Sequence, residues 1–524
     1  MTARESRPTL VDEAASEAFG GADIKDTTGA LGAEDLDAAV ERLRRDEAVH
    51  RKHIRVAHAF AAGQIRKFIH VTGLGWFRWD GRRWAEDLGD KRASAAVMDV
   101  IREMWLKGGA RDLSSDLGTC STASGVKGVL ALAAALPGIT VAPDEMDADP
   151  YLLNVANGTL DLHTLQLRPH DPRDRISKVA RASYNPGATS EVWTAFLERV
   201  LPDEEVRDYL GRFFGLGLVG KTLEHIFTIA TGSGRNGKGV CYGAVMHALG
   251  DYAGVADPAL MEVVKSNPNS PSPAFFDLRG RRLVVLSETD TKIRLSASVL
   301  KRLTGGDAIK ARALHKDPIQ FNPSHQFLMV TNHLPELPSK EADPAVWARI
   351  RVVPFDEVIP KHEQDPRLPE KLELAADAIL TWMVAGLGDY WEQGLNEPDA
   401  VSSRTDEYAQ AQDDVRRWVE EECTEVDDYG LGDTTKRLHD AYQEWCAAEG
   451  MYKRDILGRG MFGQALDAMG FEATKQRRGM VRLLALQVEG APPPGQMDEA
   501  AAKVISQEPV AAAAAEASNP GIVL

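Results

Sequence analysis

Cysteines are few in this sequence, and none of them is spaced to hold a metal ion or a disulfide framework. Four occur in 524 residues, and no two have CxxC spacing: Cys120, Cys241, Cys423 and Cys446. The sequence therefore predicts neither a zinc site nor a disulfide scaffold. This use of cysteine favours a reducing, intracellular setting.

Long apolar runs and an excess of positive charge are also lacking. No apolar run reaches the roughly 18 residues that a membrane span requires, and no basic-then-apolar leader is present. The 61 Lys and Arg residues are outnumbered by 78 Asp and Glu residues, which gives a formal net charge of -17. We therefore expect a cytoplasmic protein with no membrane partner, and any nucleic-acid contact must come from a local basic feature.

A glycine-rich stretch carries the strongest chemical pattern. In FTIATGSGRNGKGVCYGAVMHALG, residues 227–250, a short apolar run precedes the glycines and a helical pattern follows them, ending at Gly250. Glycines allow backbone N–H groups to surround a phosphate, and Lys238 is placed to reach the β- and γ-phosphates of ATP. The residues predicted to bind ATP are Gly232, Ser233, Gly234, Arg235, Asn236, Gly237, Lys238, Gly239 and Val240.

One position departs from the usual phosphate-loop pattern. A serine or threonine, whose hydroxyl binds Mg²⁺, is expected after the lysine, and Gly239 stands there instead. The metal must therefore depend on water or on carboxylates elsewhere.

Three later apolar runs each lie beside a polar residue with a possible role. The run 283–286 ends at Ser287 and Glu288, which makes Glu288 the candidate base and a candidate Mg²⁺ ligand, directly or through water, with Asp290 a weaker candidate base. The run 327–330 leads to Asn332, whose amide would position the attacking water. Arg349 and Arg351 precede a fourth predicted strand, and in a ring-forming ATPase such an arginine would stabilise transition-state charge in a neighbouring subunit.

The segment AIKARALHKDPIQF, residues 308–321, alternates as a β-hairpin does and is basic within an acidic protein. Its candidate DNA-binding residues are Lys310, Arg312, His315 and Lys316. A solvated turn is the alternative interpretation.

The remaining composition divides the chain into six parts. Residues 1–35 and 488–524 are low in aromatic residues and are predicted to be a disordered acidic arm and a disordered Ala/Pro-rich tail. Residues 36–190 contain two hairpin patterns, at Asp80-Gly81 and Asn157-Gly158, with the nearby tryptophans in the core. A helical collar (191–222), an α/β nucleotide-binding domain (223–400), and a linker helix with helices and a small hairpin (401–487) complete the chain.

Together these motifs resemble the superfamily 3 helicase domain of the phage and plasmid primase-helicase family, related to the poxvirus primase-helicase. GSGRNGKG resembles its Walker A motif, LVVLSE its Walker B motif, FLMVTN its sensor motif and WARIRVVPF its arginine-finger strand. The resemblance implies an AAA+-like P-loop NTPase core, an N-terminal α+β helicase-associated domain and a C-terminal winged-helix-like DNA-binding domain. It also implies catalytic roles for Lys238, Glu288, Asn332 and Arg349.

The resulting expectation is an ATP- and Mg²⁺-dependent replicative DNA helicase, located in the host cell's cytoplasm if a phage encodes it. It would act on single-stranded and forked DNA as a homo-oligomeric ring, of six subunits by resemblance and with 3′ to 5′ polarity. A separate primase or polymerase is a possible partner, since primase activity in this chain is doubtful. The alternatives are an ATP-regulated DNA-binding initiator or primase-associated subunit, and a P-loop kinase for small molecules, which would leave the hairpin and Asn332 without roles.

Overall fold

A computed structural model describes residues 33–108, 111–261, 273–287, 293–312, 318–337, 340 and 342–487. These residues form two compact units, one made of residues up to 335 together with 348–405, and the other made of 336–347 and residues from 406 onward. The predicted disordered arm and tail lie outside the described residues, except that residues 33–35 begin a helix. Residues 336–347, which the sequence placed in the 223–400 domain, lie in the second unit.

The N-terminal part of the first unit packs helices against a mixed sheet of order β3-β2-β1-β4. The predicted Asp80-Gly81 hairpin is confirmed, because Trp79 pairs with Trp84 across β2 and β3 and the Asp80 carboxylate accepts hydrogen bonds from two backbone N–H groups in the turn. The elements are α1 (Ala33–Val49), α2 (Lys52–Gln64), β1 (Phe68–Val71), β2 (Gly75–Trp79), β3 (Trp84–Glu86), α3 (Lys91–Lys107), α4 (Arg111–Cys120), α5 (Ala123–Ala133) and β4 (Thr140–Val141).

A small antiparallel sheet and two helices lead into the central sheet. The predicted hairpin at Asn157-Gly158 is confirmed, with Val155 opposite Gly158, so that the turn lies one residue earlier than the pattern indicates. Ser190 and Asp203 cap the two helices by accepting backbone N–H groups of Trp193 and Glu205. The elements are β5 (Leu152–Val155), β6 (Gly158–Asp161), β7 (Leu167–Arg168), α6 (Glu191–Val200) and α7 (Glu204–Leu216).

The centre of the first unit is a five-stranded parallel sheet of order β14-β8-β13-β10-β9. Its three inner strands are almost entirely buried. A parallel sheet is covered on both faces, and for this reason its strands are continuous apolar runs. The four predicted strands are confirmed, and β9 is an additional edge strand. The strands are β8 (Phe227–Thr231), β9 (Ala253–Ala256), β10 (Leu283–Ser287), β13 (Gln326–Thr331) and β14 (Ile350–Pro354).

Helices and one hairpin complete the first unit. The helix after the glycine turn ends at Leu249, and the predicted stop, Gly250, follows it with a positive φ of 55°. The elements are α8 (Lys238–Leu249), α9 (Pro273–Phe276), α10 (Ala297–Thr304), the hairpin strands β11 (Ile309–Ala311) and β12 (Ile319–Phe321), α12 (Leu368–Leu374) and α13 (Ala376–Gln393); α11 (Pro344–Trp347) belongs to the second unit, and α14 (Asp399–Ala411) starts in the first unit and continues into the second.

The second unit has its own core, in which the rings of Trp418, Tyr442 and Phe462 contact one another with centroids 4.9–5.8 Å apart. Helices followed by a small hairpin are found here, as the sequence predicts. The elements are α15 (Asp414–Glu422), β15 (Cys423–Glu425), α16 (Thr435–Ala448), α17 (Arg459–Ala468), the hairpin strands β16 (Thr474–Gln476) and β17 (Gly479–Val481), and β18 (Leu484–Leu486), which pairs with β15. In the part of the chain that the structure describes, no helix combines the length and apolarity needed to cross a bilayer.

Candidate functional site

The glycine turn between β8 and α8 is held in place by the polypeptide that follows β14. The buried Asn236 side chain donates a hydrogen bond to the Phe355 carbonyl (2.8 Å), and the Arg235 carbonyl accepts one from the Ile359 N–H (2.9 Å). Fixed bonds of this kind arrange backbone N–H groups before a ligand arrives. The turn therefore has little ordering entropy left to lose on binding.

Two glycines in the turn are required by space. A Cβ on Gly232 would lie 2.2 Å from both the Asn236 amide nitrogen and the Phe355 carbonyl oxygen. Gly237 has φ 79°, and a Cβ there would lie 2.5 Å from Cγ1 of Val200 on α6. Helix α6, which belongs to the predicted collar (residues 191–222), therefore packs against the turn and constrains its position.

The ammonium group of Lys238 lies among three oxygens. Its Nζ donates to the Gly232 carbonyl at 2.8 Å, to Asn236 Oδ1 at 3.2 Å and to Asn332 Oδ1 at 3.2 Å. The side chain is buried, with 6% exposure, at the first position of α8. Lys238 and Asn332, which are 94 residues apart in sequence, therefore meet at the carboxyl ends of β8 and β13, where α/β sheets bind ligands.

A cavity of about 440 Å³ opens at this edge of the sheet. Residues 234–240, from the turn and the start of α8, line it, whereas the predicted Gly232 and Ser233 are not among its lining residues. Sequence reasoning missed Tyr242, Val330 and Thr331 as lining residues. Tyr242 lies one helical turn after Lys238, and this i, i+4 spacing was the pattern that could have identified it.

The carboxylate predicted to act as base lies outside the part of the chain that the structure describes. Glu288 and Asp290 both lie outside the described residues, although the preceding Ser287 lines the cavity. Thr331 uses its hydroxyl locally, donating to the His333 carbonyl and accepting from the His333 N–H. Burial raises the pKa of the Cys241 thiol on α8 to about 12, so this thiol is protonated and is not a nucleophile.

Arg349 lies at the opposite end of the sheet from Lys238. Its carbonyl accepts a hydrogen bond from the Phe227 N–H at the start of β8 (2.6 Å), whereas the glycine turn follows Thr231 at the end of that strand. Four residue steps of about 3.3 Å place the two ends roughly 13 Å apart. Arg349 is therefore remote from the cavity of its own chain.

Arg351 lies within β14, one residue after the strand begins, and not before the strand as its position in the pattern indicated. It forms an ion pair with Glu397 (2.5 Å) and donates to the carbonyls of Ala348 and Ile350. These bonds hold the Arg351 guanidinium against residues of its own chain.

The predicted DNA hairpin is confirmed as a hairpin at its base, where Lys310 pairs with Gln320 between β11 and β12. Lys310 and Arg312 are exposed, and His315 and Lys316 lie outside the described residues. Ile319 is buried in one apolar cluster with Ile69 and Val71 of the N-terminal sheet. Packing against the N-terminal sheet was not visible in the sequence pattern.

Two family models match the chain. Residues 55–202 match a family described as D5 N terminal like, and residues 230–349 match DUF5906, a family of unknown function. The second match begins at the end of β8, includes Lys238 and Asn332, and ends at Arg349.

Curated relatives come from large DNA viruses. The chain is 28% identical over 335 residues to "Putative helicase L207/L206" of Acanthamoeba polyphaga mimivirus, covering 60% of this chain and 34% of that protein. It is 24% identical over 336 residues to "Putative primase C962R" of African swine fever virus, covering 59% of this chain and 35% of that protein. The chain thus spans about a third of the length of these curated relatives.

Among solved structures, the apo C terminal region of NrS-1 matches with 12% identity and a TM-score of 0.36, covering 58% of this chain and 77% of that chain. This score is too low to establish a shared fold. The two matched segments, together with relatives named as helicases and primases, confirm the resemblance to the primase-helicase family that the motifs predict.

Proposed function

We propose that this chain is an ATP-dependent replicative DNA helicase that works as a homo-oligomeric ring, with six subunits expected by resemblance. The observation that carries the proposal is the meeting of Lys238 and Asn332 at one cavity beside a preorganised glycine turn. Hydrolysis of a nucleoside triphosphate uses a phosphate-binding lysine and a polar sensor, and here the two follow neighbouring strands, β8 and β13.

The turn suits a triphosphate in its chemistry. Phosphate oxygens would take the place of the oxygens that Lys238 now contacts, and charge-assisted bonds to phosphate are stronger than bonds to neutral carbonyls. The bond from Lys238 to Oδ1 fixes the rotation of the Asn332 amide. Binding of the phosphates and orientation of the amide are thus linked through one ammonium group.

Magnesium, the expected cofactor, prefers oxygen ligands. Gly239 offers none, so the Ser287 hydroxyl, which lines the cavity, and Glu288, which follows it in sequence, would hold the ion together with phosphate oxygens. When bound, the ion would neutralise charge that develops on the phosphates. Glu288 is the proposed base for the attacking water.

The distance between Arg349 and the cavity supports a site shared between subunits. The backbone of Arg349 lies at the start of β8, roughly 13 Å along that strand from the end that carries the glycine turn. In a ring, this arginine would contact the phosphate of a neighbouring subunit and not that of its own chain. Lys310 and Arg312, with His315 and Lys316 beyond them, are the proposed DNA contacts.

DNA-stimulated ATP hydrolysis tests the proposal. We expect wild-type hydrolysis to rise with forked or single-stranded DNA, and strand displacement to require hydrolysis. Glu288→Gln is expected to bind ATP without hydrolysing it, whereas Lys361→Ala, which changes an exposed lysine away from the cavity, should behave as wild type. A rate of ATP hydrolysis that DNA does not change would refute the helicase proposal and favour a small-molecule kinase.

A second candidate is an ATP-regulated initiator or primase-associated subunit. Gly239 favours it, because a site with one metal ligand fewer is expected to turn over slowly. Nucleotide-dependent assembly on DNA with little hydrolysis and no strand displacement would support this candidate.

A further inference from the structure

The first turn of α8 lacks a side chain at the position where a phosphate loop usually carries a hydroxyl. Gly239, the second residue of this helix, lies in the wall of the nucleotide cavity. Among the residues that the structure describes, a Cβ on Gly239 would meet one atom within 4 Å, Cε1 of Tyr242 at 3.9 Å. The space that a serine or threonine would fill therefore lies beside the ring of Tyr242.

Helical geometry directs the Tyr242 side chain to this position. Residues three apart are neighbours on the surface of an α-helix, and long side chains point back toward the N-terminus of the helix. Tyr242 follows Gly239 by three residues, so its ring extends back over the glycine toward the phosphate-binding turn. The hydroxyl of a tyrosine is carried by Cζ, the ring carbon next to Cε1. The contact at Cε1 therefore brings the hydroxyl close to the space that Gly239 leaves.

The ring of Tyr242 is held in place, whereas its hydroxyl is available. The partly buried ring packs against the apolar core of the first unit. Tyr242 also lines the cavity, as do Ser287 and Asn332. Its hydroxyl forms no hydrogen bond with any residue in the described part of the chain. The structure thus provides a positioned hydroxyl at the edge of the cavity with no role in the fold.

A hydroxyl on the next turn of the helix can serve a metal ion through water. Proteins that bind Mg²⁺ together with a nucleotide leave several water molecules on the ion. A phenol oxygen accepts hydrogen bonds as well as donating one, so it can hold such a water without binding the ion directly. The Ser287 hydroxyl and the Tyr242 phenol are both oxygen groups at this cavity, which fits the ligand preference of Mg²⁺.

We propose that the Tyr242 hydroxyl replaces the serine or threonine hydroxyl that Gly239 does not supply, by accepting a hydrogen bond from a water molecule on the Mg²⁺ ion of bound Mg·ATP. This inference rests on the proposed function, because it assumes a magnesium nucleotide in the cavity. Tyr242 is then a positioning residue, which acts on the ion through water. If Tyr242 served only to fill the space beside Gly239, the ring would be needed and the hydroxyl would not.

The test removes the hydroxyl and keeps the ring. Binding of a fluorescent, non-hydrolysable ATP analogue to the full chain is titrated with Mg²⁺ and, separately, in EDTA. Tyr242→Phe should weaken binding about 2- to 12-fold with Mg²⁺, the effect of losing one hydrogen bond, and should leave binding in EDTA unchanged. Tyr151→Phe, which removes the hydroxyl of a partly buried tyrosine outside the cavity, is the matched control and should bind as wild type in both conditions.

A second substitution returns a hydroxyl to its usual place. Gly239→Ser has room, since the nearest atom to its Cβ is 3.9 Å away. In the Tyr242→Phe background it should restore the affinity measured with Mg²⁺. It should have a smaller effect when Tyr242 is present, because both hydroxyls would then act on the same ion and the two substitutions would not be additive.

Tyr242→Phe that binds as wild type with Mg²⁺ would overturn the proposal. Equal losses of affinity with Mg²⁺ and in EDTA would also overturn it, and would assign the hydroxyl to the nucleotide itself. Additive effects of the two substitutions would show that the hydroxyls do not share a role. Failure of the helicase proposal appears separately, as ATP hydrolysis by the wild-type chain that DNA does not stimulate, because the binding titrations involve neither hydrolysis nor DNA.

Discussion

Replacing Gly237 by alanine should disable the glycine turn through contact with the collar helix. Two energetic costs contribute, one from the backbone conformation and one from steric overlap. A non-glycine residue at φ 79° costs about 1–2 kcal/mol, and forcing a methyl group to within 2.5 Å of Val200 Cγ1 costs about 1–3 kcal/mol more. The overlap term alone corresponds to an approximately 5- to 150-fold loss if it falls on nucleotide affinity.

The structure supplies a control that separates the two terms. Gly234 also has positive φ (90°), but the atom nearest to its Cβ position is Asn332 Oδ1, 4.0 Å away. Gly234→Ala should therefore carry the backbone cost without the overlap. Titration with a fluorescent ATP analogue, together with thermal unfolding, measures both variants.

A partner substitution tests the cause directly. Val200→Ala alone costs about 1.6 kcal/mol for its two buried methyl groups, but it removes the atom that Gly237→Ala would strike. We expect the double variant to be less impaired than the sum of the single variants by about 1–3 kcal/mol. Additive effects, or nucleotide binding by Gly237→Ala as tight as that of wild type, would refute the proposed support of the turn by α6.

Four further outcomes follow from the same geometry. Lys238→Ala should abolish ATP hydrolysis in a chain whose circular dichroism is unchanged, and normal turnover would disprove the phosphate-loop assignment. Mixing inactive Arg349→Ala with inactive Lys238→Ala subunits should restore part of the hydrolysis, because a mixed interface joins an intact turn to an intact arginine; co-assembled mixtures without activity would exclude a finger in trans. Burial lowers the pKa of His325 to about 4 from its usual 6.5. Between these two pH values the unfolded chain binds one proton more than the folded chain, so the free energy of unfolding falls as the pH drops through that window. His325→Leu should remove about 2 kcal/mol of the stability difference between pH 7 and pH 5, seen as a smaller change in melting temperature. Gly239→Ser, whose Cβ would meet only Tyr242 at 3.9 Å, should reduce the Mg²⁺ concentration needed for hydrolysis, and an unchanged requirement would show that the missing hydroxyl is irrelevant.

Features set by local sequence were predictable from the sequence. The buried strands β8, β10, β13 and β14 are short apolar runs, and the Asp80-Gly81 and Asn157-Gly158 patterns located two hairpins, the second with its turn one residue earlier than the pattern indicates. Motif spacing also identified Lys238 and Asn332 as candidates for one site, and the structure brings them within 3.2 Å.

Features that depend on contacts between distant residues were not predictable in this way. The edge strand β9 has the sequence AGVA, which is short and small, and it becomes a strand through its pairing with β10. Val200 beneath Gly237 and the Phe355 carbonyl at Asn236 are 37 and 119 residues from their partners in sequence. No local pattern encodes such contacts, although they determine the shape of the turn.

The base of the basic hairpin is fixed to the N-terminal sheet, and this constrains how the hairpin could move. Ile319 lies in one buried cluster with Ile69 and Val71, and separating a side chain of this size from its apolar surroundings costs about 1.5–3 kcal/mol. A stroke that moves the hairpin with the sheet avoids that cost. The same N-terminal domain contacts the segment that follows α8, because Arg83 forms an ion pair with Asp251, two residues beyond the end of that helix. If the hairpin contacts DNA, the N-terminal domain is therefore part of the moving body and is joined both to the DNA-binding element and to the segment that follows the helix beginning with Lys238.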